Sequence, residues 1–136
     1  MASYWLVKSE PESYAFADLQ RDGKTVWDGV RNNAAAAHLK AMAEGDEVLV
    51  YHSGDERAAV GLAKVTRTAF PDASDPSGRF VAVELAAVRP LARPVTLAQM
   101  KAEPALSDLV MLRQPRLSVS PVPREAWARL LQMAGS

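Results

Sequence analysis

Glu47-Val48-Leu49-Val50-Tyr51-His52-Ser53 is the segment whose reading decides the architecture. Val48 to Tyr51 are continuously apolar, with no period of two, and predict a central strand covered on both faces. After the polar turn Gly54-Asp55-Glu56-Arg57, Ala59 to Phe70 reads as a long strand. Pro71 to Gly78 is a loop of Pro, Asp, Ser and Gly. Arg79 to Arg89 then returns as a strand, with Phe80, Ala82 and Glu84 on one face and Val81, Val83 and Leu85 on the other. Such spacing predicts a hairpin. A doubly wound parallel sheet would need helix-length crossovers between these strands.

Toward the N-terminus, Tyr4-Trp5-Leu6-Val7 is a strand that Pro11 stops. Ser13 is positioned to cap a short helix through Phe16 and Leu19, closed by Gly23. Thr25 to Val30 is a short extended piece, and either Asn32 or Asn33 caps a helix whose buried stripe is Ala35, Leu39 and Met42. His38, on the polar side of that helix, reads as a surface residue. Toward the C-terminus, Thr96 caps a helix through Leu97 and Met100, and Ser107 a second through Leu109 and Leu112. Arg116-Leu117-Ser118-Val119 reads as a last strand, and Pro123 opens a terminal helix docked by Trp127, Leu130 and Leu131. The expected fold class is α+β: a small, partly closed, mixed or antiparallel β-barrel with helices on its rim. With 136 residues, no repeat and no linker, residues 1–136 are expected to form one domain.

Sixteen basic and sixteen acidic residues cancel, which excludes an extended basic face gripping many phosphates of a duplex. Charge is uneven, since Arg113, Arg116, Arg124 and Arg129 stand against Glu125 alone. The absence of cysteine removes disulfides and thiolate metal sites; with only two histidines, no metal is expected. No Gly-rich phosphate loop follows a strand, so no nucleotide cofactor is expected either. There is no apolar run near the ~20 residues of a membrane helix and no signal-peptide pattern. The chain is expected to be intracellular: cytoplasmic, or nuclear in a eukaryote.

Unusual clusters fall at predicted strand ends: Lys8-Ser9-Glu10-Pro11, Trp27-Asp28-Gly29-Val30-Arg31-Asn32, Tyr51-His52-Ser53 and Arg116-Leu117-Ser118-Val119. With Tyr4-Trp5-Leu6-Val7 ahead of them and Gly61-Leu62-Ala63 after the third, the ordered set closely resembles the EVE family along nearly the whole chain. That resemblance implies a PUA-like fold, related to the YTH domains that read N6-methyladenine and to the ASCH domains. It also implies a non-enzymatic module that binds a modified base, a modified cytosine or a methylated adenine, in DNA or RNA. The pocket it implies comprises Lys8, Ser9, Trp27, Asn32, His52 and Ser53, with Ser118 beside them.

The residues themselves point the same way. Trp27, next to a charged residue and a glycine, reads less as core than Trp5 or Trp127, and the resemblance gives it the base-stacking role. Stacking is worth ~1–3 kcal/mol per base and is indifferent to which base it holds. One methyl adds only ~0.8 kcal/mol on burial, so selectivity needs polar groups at the base edge. Asn32, Asn33, Ser9 and Ser53 supply them, and His52 offers a ring nitrogen in either sense. For Asn33, helix capping and ligand contact stand side by side; His52 is either an edge reader or a histidine satisfied by a neighbour. Lys8, Arg31 and Arg116 are the phosphate or edge partners at the mouth. Asp28 either accepts from an exocyclic amine or pairs with Arg31, the pair being preferred. The competing reading is a small hydrolase of modified nucleosides, as in some ASCH-type domains. Ser53, His52 and Asp55 do not form a triad, because adjacent strand residues point to opposite faces.

Overall fold

The computed structural model describes residues 3 to 135. In chain order these form β1 (Tyr4–Ser9), α1 (Phe16–Asp22), β2 (Lys24–Trp27), α2 (Asn33–Ala41), β3 (Glu47–His52), β4 (Ala58–Pro71) and β5 (Val81–Thr96). There follow α3 (Leu97–Ala102), a 3-10 turn (Pro104–Leu106), α4 (Val110–Arg113), β6 (Val119–Pro121) and α5 (Arg124–Met133). Among them no helix is long and apolar enough to cross a membrane.

Alternation along the central strands divides the core in two. Trp5, Val7, Val48 and Val50 face one cluster, where Phe16 and Leu19 of α1 and Ala35 and Leu39 of α2 meet them. Leu6, Leu49 and Tyr51 face the other, filled by Met100, Leu106, Met111, Trp127 and Leu130. The continuous apolar run of β3 is thus explained: both its faces are covered, as expected. The six strands form one sheet in the order β2-β5-β4-β3-β1-β6. Only β1 and β3 are parallel, with Leu6 opposite Leu49 and Ser9 opposite His52. Every other pairing is antiparallel. The sheet is not closed, since β2 and β6 are its edges. It is bent by register shifts in the β4–β5 ladder, at Ala59/Gly61, Leu62/Ala63, Val65/Arg67 and Arg67/Phe70.

Several local expectations are corrected. β5 runs on to Thr96 instead of ending at Arg89, because Pro90 falls opposite Gly61 beside a register shift, where a missing N–H breaks no ladder bond. Ser13 does not cap α1. Ala15 holds that position, and the Asp18 carboxylate accepts its N–H at 2.8 Å. Leu109, not Ser107, precedes α4, and the last strand is Val119–Pro121, sharing only Val119 with the expected segment. His38 is half-buried, its ring 6.0 Å from that of Trp5. Gly61 has a specific reason to be glycine: a Cβ there would lie 2.4 Å from the Phe16 ring, which packs flat on the strand.

Candidate functional site

β2 occupies one edge of the sheet, and three strands separate it from β1. In a flat sheet the two would be roughly 19 Å apart, four spacings of about 4.8 Å. Here Lys8 and Ser9 from the end of β1 and Lys24 to Trp27 of β2 line the same cavity, of about 630 Å3, so the sheet has curled to bring them together. Tyr14, from the turn ahead of α1, and Asp28 complete the lining.

Trp27 pairs with Val83 of β5, and its ring meets Tyr14 edge-on at 6.3 Å and 81°. It is only 9% exposed and belongs to the core cluster, although it lines the cavity. The expectation that it stands apart from the core tryptophans is therefore corrected. Strand pairing buries one side of the indole while the cavity uncovers another. The Tyr14 hydroxyl donates to Asp22 at 2.8 Å; burial, with the neighbouring Asp22 carboxylate, raises its pKa and keeps it a protonated donor. Ser9 Oγ donates to the Tyr14 carbonyl at 2.6 Å, fixing the turn that carries that ring. Lys8 is half-buried, which lowers its pKa; its ammonium donates to the Pro115 carbonyl at 2.8 Å and lies 5.7 Å from the Tyr51 ring centre.

The Lys8–Pro115 contact is also a partition. Ser53 lines a neighbouring cavity of about 260 Å3 that shares Lys8 and Pro115, and Asn32 and Arg116 line a third of about 320 Å3 on the other side of Pro115. The ten residues singled out from the sequence thus do not share one chamber. Lys8, Ser9 and Trp27 share the largest of the three. Ser118 sits between, its carbonyl accepting the Lys8 backbone N–H at 2.9 Å.

Asn32, Asn33 and His52 are each held by internal hydrogen bonds. Asn32 caps α2, Oδ1 accepting the Ala35 N–H at 3.0 Å, while Asn33 accepts from the Arg79 guanidinium at 3.0 Å and caps nothing. His52 is buried, its Nε2 accepting the Phe16 N–H at 3.0 Å and its Nδ1 lying 2.5 Å from Glu56. Both ring nitrogens are engaged, so His52 orients the start of α1, and no Ser53–His52 nucleophile pair exists.

Arg31 does not pair with Asp28, which corrects the preferred sequence reading. Its guanidinium donates to Asp72 at 2.9 Å and to Ser74 at 3.0 Å, and lies 5.5 Å from the Phe80 ring. Asp72, fully buried, also accepts from the Gly29 N–H at 2.9 Å and from the Ser74 N–H and hydroxyl at 2.7 and 2.6 Å. Burial opposes its ionisation, but these donors outweigh it and hold the carboxyl far below the usual range. Asp72 is the clamp that ties the β4–β5 loop to the turn after Trp27. Sequence reading missed it, along with Tyr14, Lys24 and Thr25. An aspartate in a loop of Pro, Asp, Ser and Gly carries no local sign of a partner 41 residues away.

A second large cavity, about 550 Å3, lies between Tyr4, Trp5 and the Pro121-Val122-Pro123 segment. Its walls are chiefly apolar and offer no comparable set of donors and acceptors.

A family model described as EVE domain matches residues 3–133. Human thymocyte nuclear protein 1 is 33% identical over 167 aligned positions, covering 98% of this chain and 74% of that protein. The NMR structure of Rpa0253 from Rhodopseudomonas palustris, 44% identical, superposes with a TM-score of 0.93 over 98% of this chain and 94% of that one. The human THYN1 protein in complex with 5-methylcytosine-containing DNA, 31% identical, superposes at 0.94 over 99% of both chains. An ASCH protein of Zymomonas mobilis, at 14% identity, shares the fold with a TM-score of 0.62 over 96% of this chain and 95% of that one.

Proposed function

We propose, for a chain that belongs to the EVE domain family, that it binds nucleic acid by taking one modified base into the cavity between β1 and β2. The observation that carries this reading is the likeness, along 99% of the chain, to a protein solved with 5-methylcytosine-containing DNA. The cavity fits the task. Its volume lies within the ~300–1,000 Å3 of small-ligand sites, and it is walled by the Trp27 indole and the Tyr14 ring. Polar groups of both senses surround them: Lys8, Thr25 and Lys24 as donors, Asp28 as an acceptor. A base reaches such a site from a single strand or by leaving the duplex stack.

Zero net charge accords with a single-nucleotide site. Lys24 is an exposed cation lining the cavity, Arg116 is exposed at the neighbouring one beyond Pro115, and Asp72 already neutralises Arg31. Binding of a short oligonucleotide carrying one 5-methylcytosine should therefore depend weakly on salt, with a log–log slope no steeper than about −3 at roughly −0.7 to −0.9 per phosphate. Titration at several salt concentrations, with methylated and plain strands of DNA and RNA, tests this. A slope near about −8 would mean an extended backbone interface, and equal affinity for methylated and plain strands would mean that the cavity does not read the modification.

A further inference from the structure

Asp28 is the one carboxylate among the residues lining the 630 Å3 cavity. Its side chain is exposed and, among the described residues, makes no hydrogen bond or ion pair. The nearest cation along the chain, Arg31, is held by Asp72, and Lys24 lies toward Glu84 at 4.0 Å. Yet the backbone on either side is fixed. Trp27 is laddered to Val83, and the Gly29 N–H is bonded to buried Asp72, with Gly29 in the left-handed region at φ 77°. An unpaired carboxylate is thus presented from a rigid turn, next to an aromatic wall, into a cavity whose other ionic groups are ammoniums.

We infer that Asp28 is the specificity-determining residue of this pocket and that it selects bases bearing an exocyclic amine, separating 5-methylcytosine from thymine. The inference rests on the base-binding reading of the cavity. The two bases share a pyrimidine ring and a 5-methyl group, so neither stacking on Trp27 nor a slot for the methyl tells them apart. They differ at position 4, where cytosine carries an amino donor and thymine a carbonyl. A carboxylate has acceptors only: it receives the amino hydrogen and opposes the carbonyl lone pairs. The thymine N3–H is no substitute, because it lies between two carbonyls that a carboxylate must also approach. The same logic rejects uracil, which also carries a carbonyl at position 4.

The test is a titration of wild type, Asp28→Asn and Asp28→Ala with single-stranded oligonucleotides that differ only in one central base: 5-methylcytosine, cytosine or thymine. Wild type should prefer 5-methylcytosine to thymine by about 5- to 150-fold, the range for a polar group left unpaired. Asp28→Asn should bring that ratio within about 3-fold, since an amide turns to present either donor or acceptor, and Asp28→Ala should likewise erase it. Both variants should melt like the parent, as the side chain has no partner to lose. A preference for 5-methylcytosine over thymine that survives in Asp28→Asn overturns the inference while leaving the pocket reading intact. So does a wild type that prefers 5-methylcytosine to cytosine but binds thymine equally well. A wild type indifferent to all three strands overturns the base-binding reading, and this inference with it.

Discussion

Replacing Asp72 with asparagine tests whether the turn that presents Trp27 and Asp28 is held from behind. Each Asp72 oxygen faces two donors: Oδ1 receives the Ser74 N–H and hydroxyl, Oδ2 the Gly29 N–H and the Arg31 guanidinium. An amide has one acceptor and one NH2, so one pair of donors must meet a donor. The less costly orientation turns the NH2 toward Ser74, whose hydroxyl can rotate to accept while its backbone N–H loses its partner. The Arg31 bond then also loses the charge that strengthened it. With one unsatisfied N–H and a weakened charged bond in a buried site, the cost is about 2–3 kcal/mol. It is kept to that because Arg31 is 41% exposed and water partly solvates it. For a chain of this length that lowers Tm by about 6–12 °C.

The pH dependence of the gap between Asp72 and Asp72→Asn has a fixed sign. The carboxyl is depressed in the folded state, so its stabilisation is complete above the unfolded value and is lost as pH falls toward the folded one. Melting curves of both proteins should differ fully from pH 5 to 8. Below about pH 4 the difference should shrink by up to about 1.4 kcal/mol per pH unit. An equal melting temperature at neutral pH, or a gap that persists unchanged in acid, would refute the clamp.

Trp27→Ala and Trp127→Ala should each cost about 3–5 kcal/mol, since both indoles are buried; a modified-base oligonucleotide should then raise the Tm of Trp127→Ala but not of Trp27→Ala, and a ligand shift retained in Trp27→Ala would remove the stacking wall. Gly61→Ala should destabilise by about 1–3 kcal/mol in a denaturant titration, as the new Cβ meets the Phe16 ring at 2.4 Å. Asn32→Ala should cost about 1 kcal/mol through the lost α2 cap, and Asn32→Asp should recover it; failure of Asp to restore stability would place the Asn32 contribution elsewhere.

The parts of the fold that could be read from sequence are those where a local pattern has one solution. Val48 to Tyr51 cannot face water on either side, and Ala35, Leu39 and Met42 leave one helical stripe to bury. What could not be read depends on partners far along the chain. β5 continues through Pro90 and Pro94 only because the register against β4 shifts near Gly61. Arg31 has an aspartate three residues before it, yet chooses one 41 residues away, because the Gly29 turn aims its own N–H and the guanidinium at the same buried carboxylate. The resemblance identified Lys8, Ser9 and Trp27, which do share a cavity. It carried no sign that Pro115 would separate Ser53 and Asn32 from them.

The cavity and the incomplete closure of the sheet have one cause. A barrel that closed fully would pair β2 on both sides and leave no seam. Here β2 is four residues long and has β5 as its one partner, so the backbone from Lys24 to Trp27 borders open space across from the end of β1. Register shifts in the β4–β5 ladder bend the sheet so that this edge and Lys8 and Ser9 line one cavity, while His52 and the Phe16 ring on Gly61 anchor α1. Covering a free edge normally protects a protein from strand-to-strand association. In this chain the edge is short, charged at Lys24 and turned inward at Trp27. The same residues, Lys24 to Trp27, line the cavity beside Lys8 and Ser9.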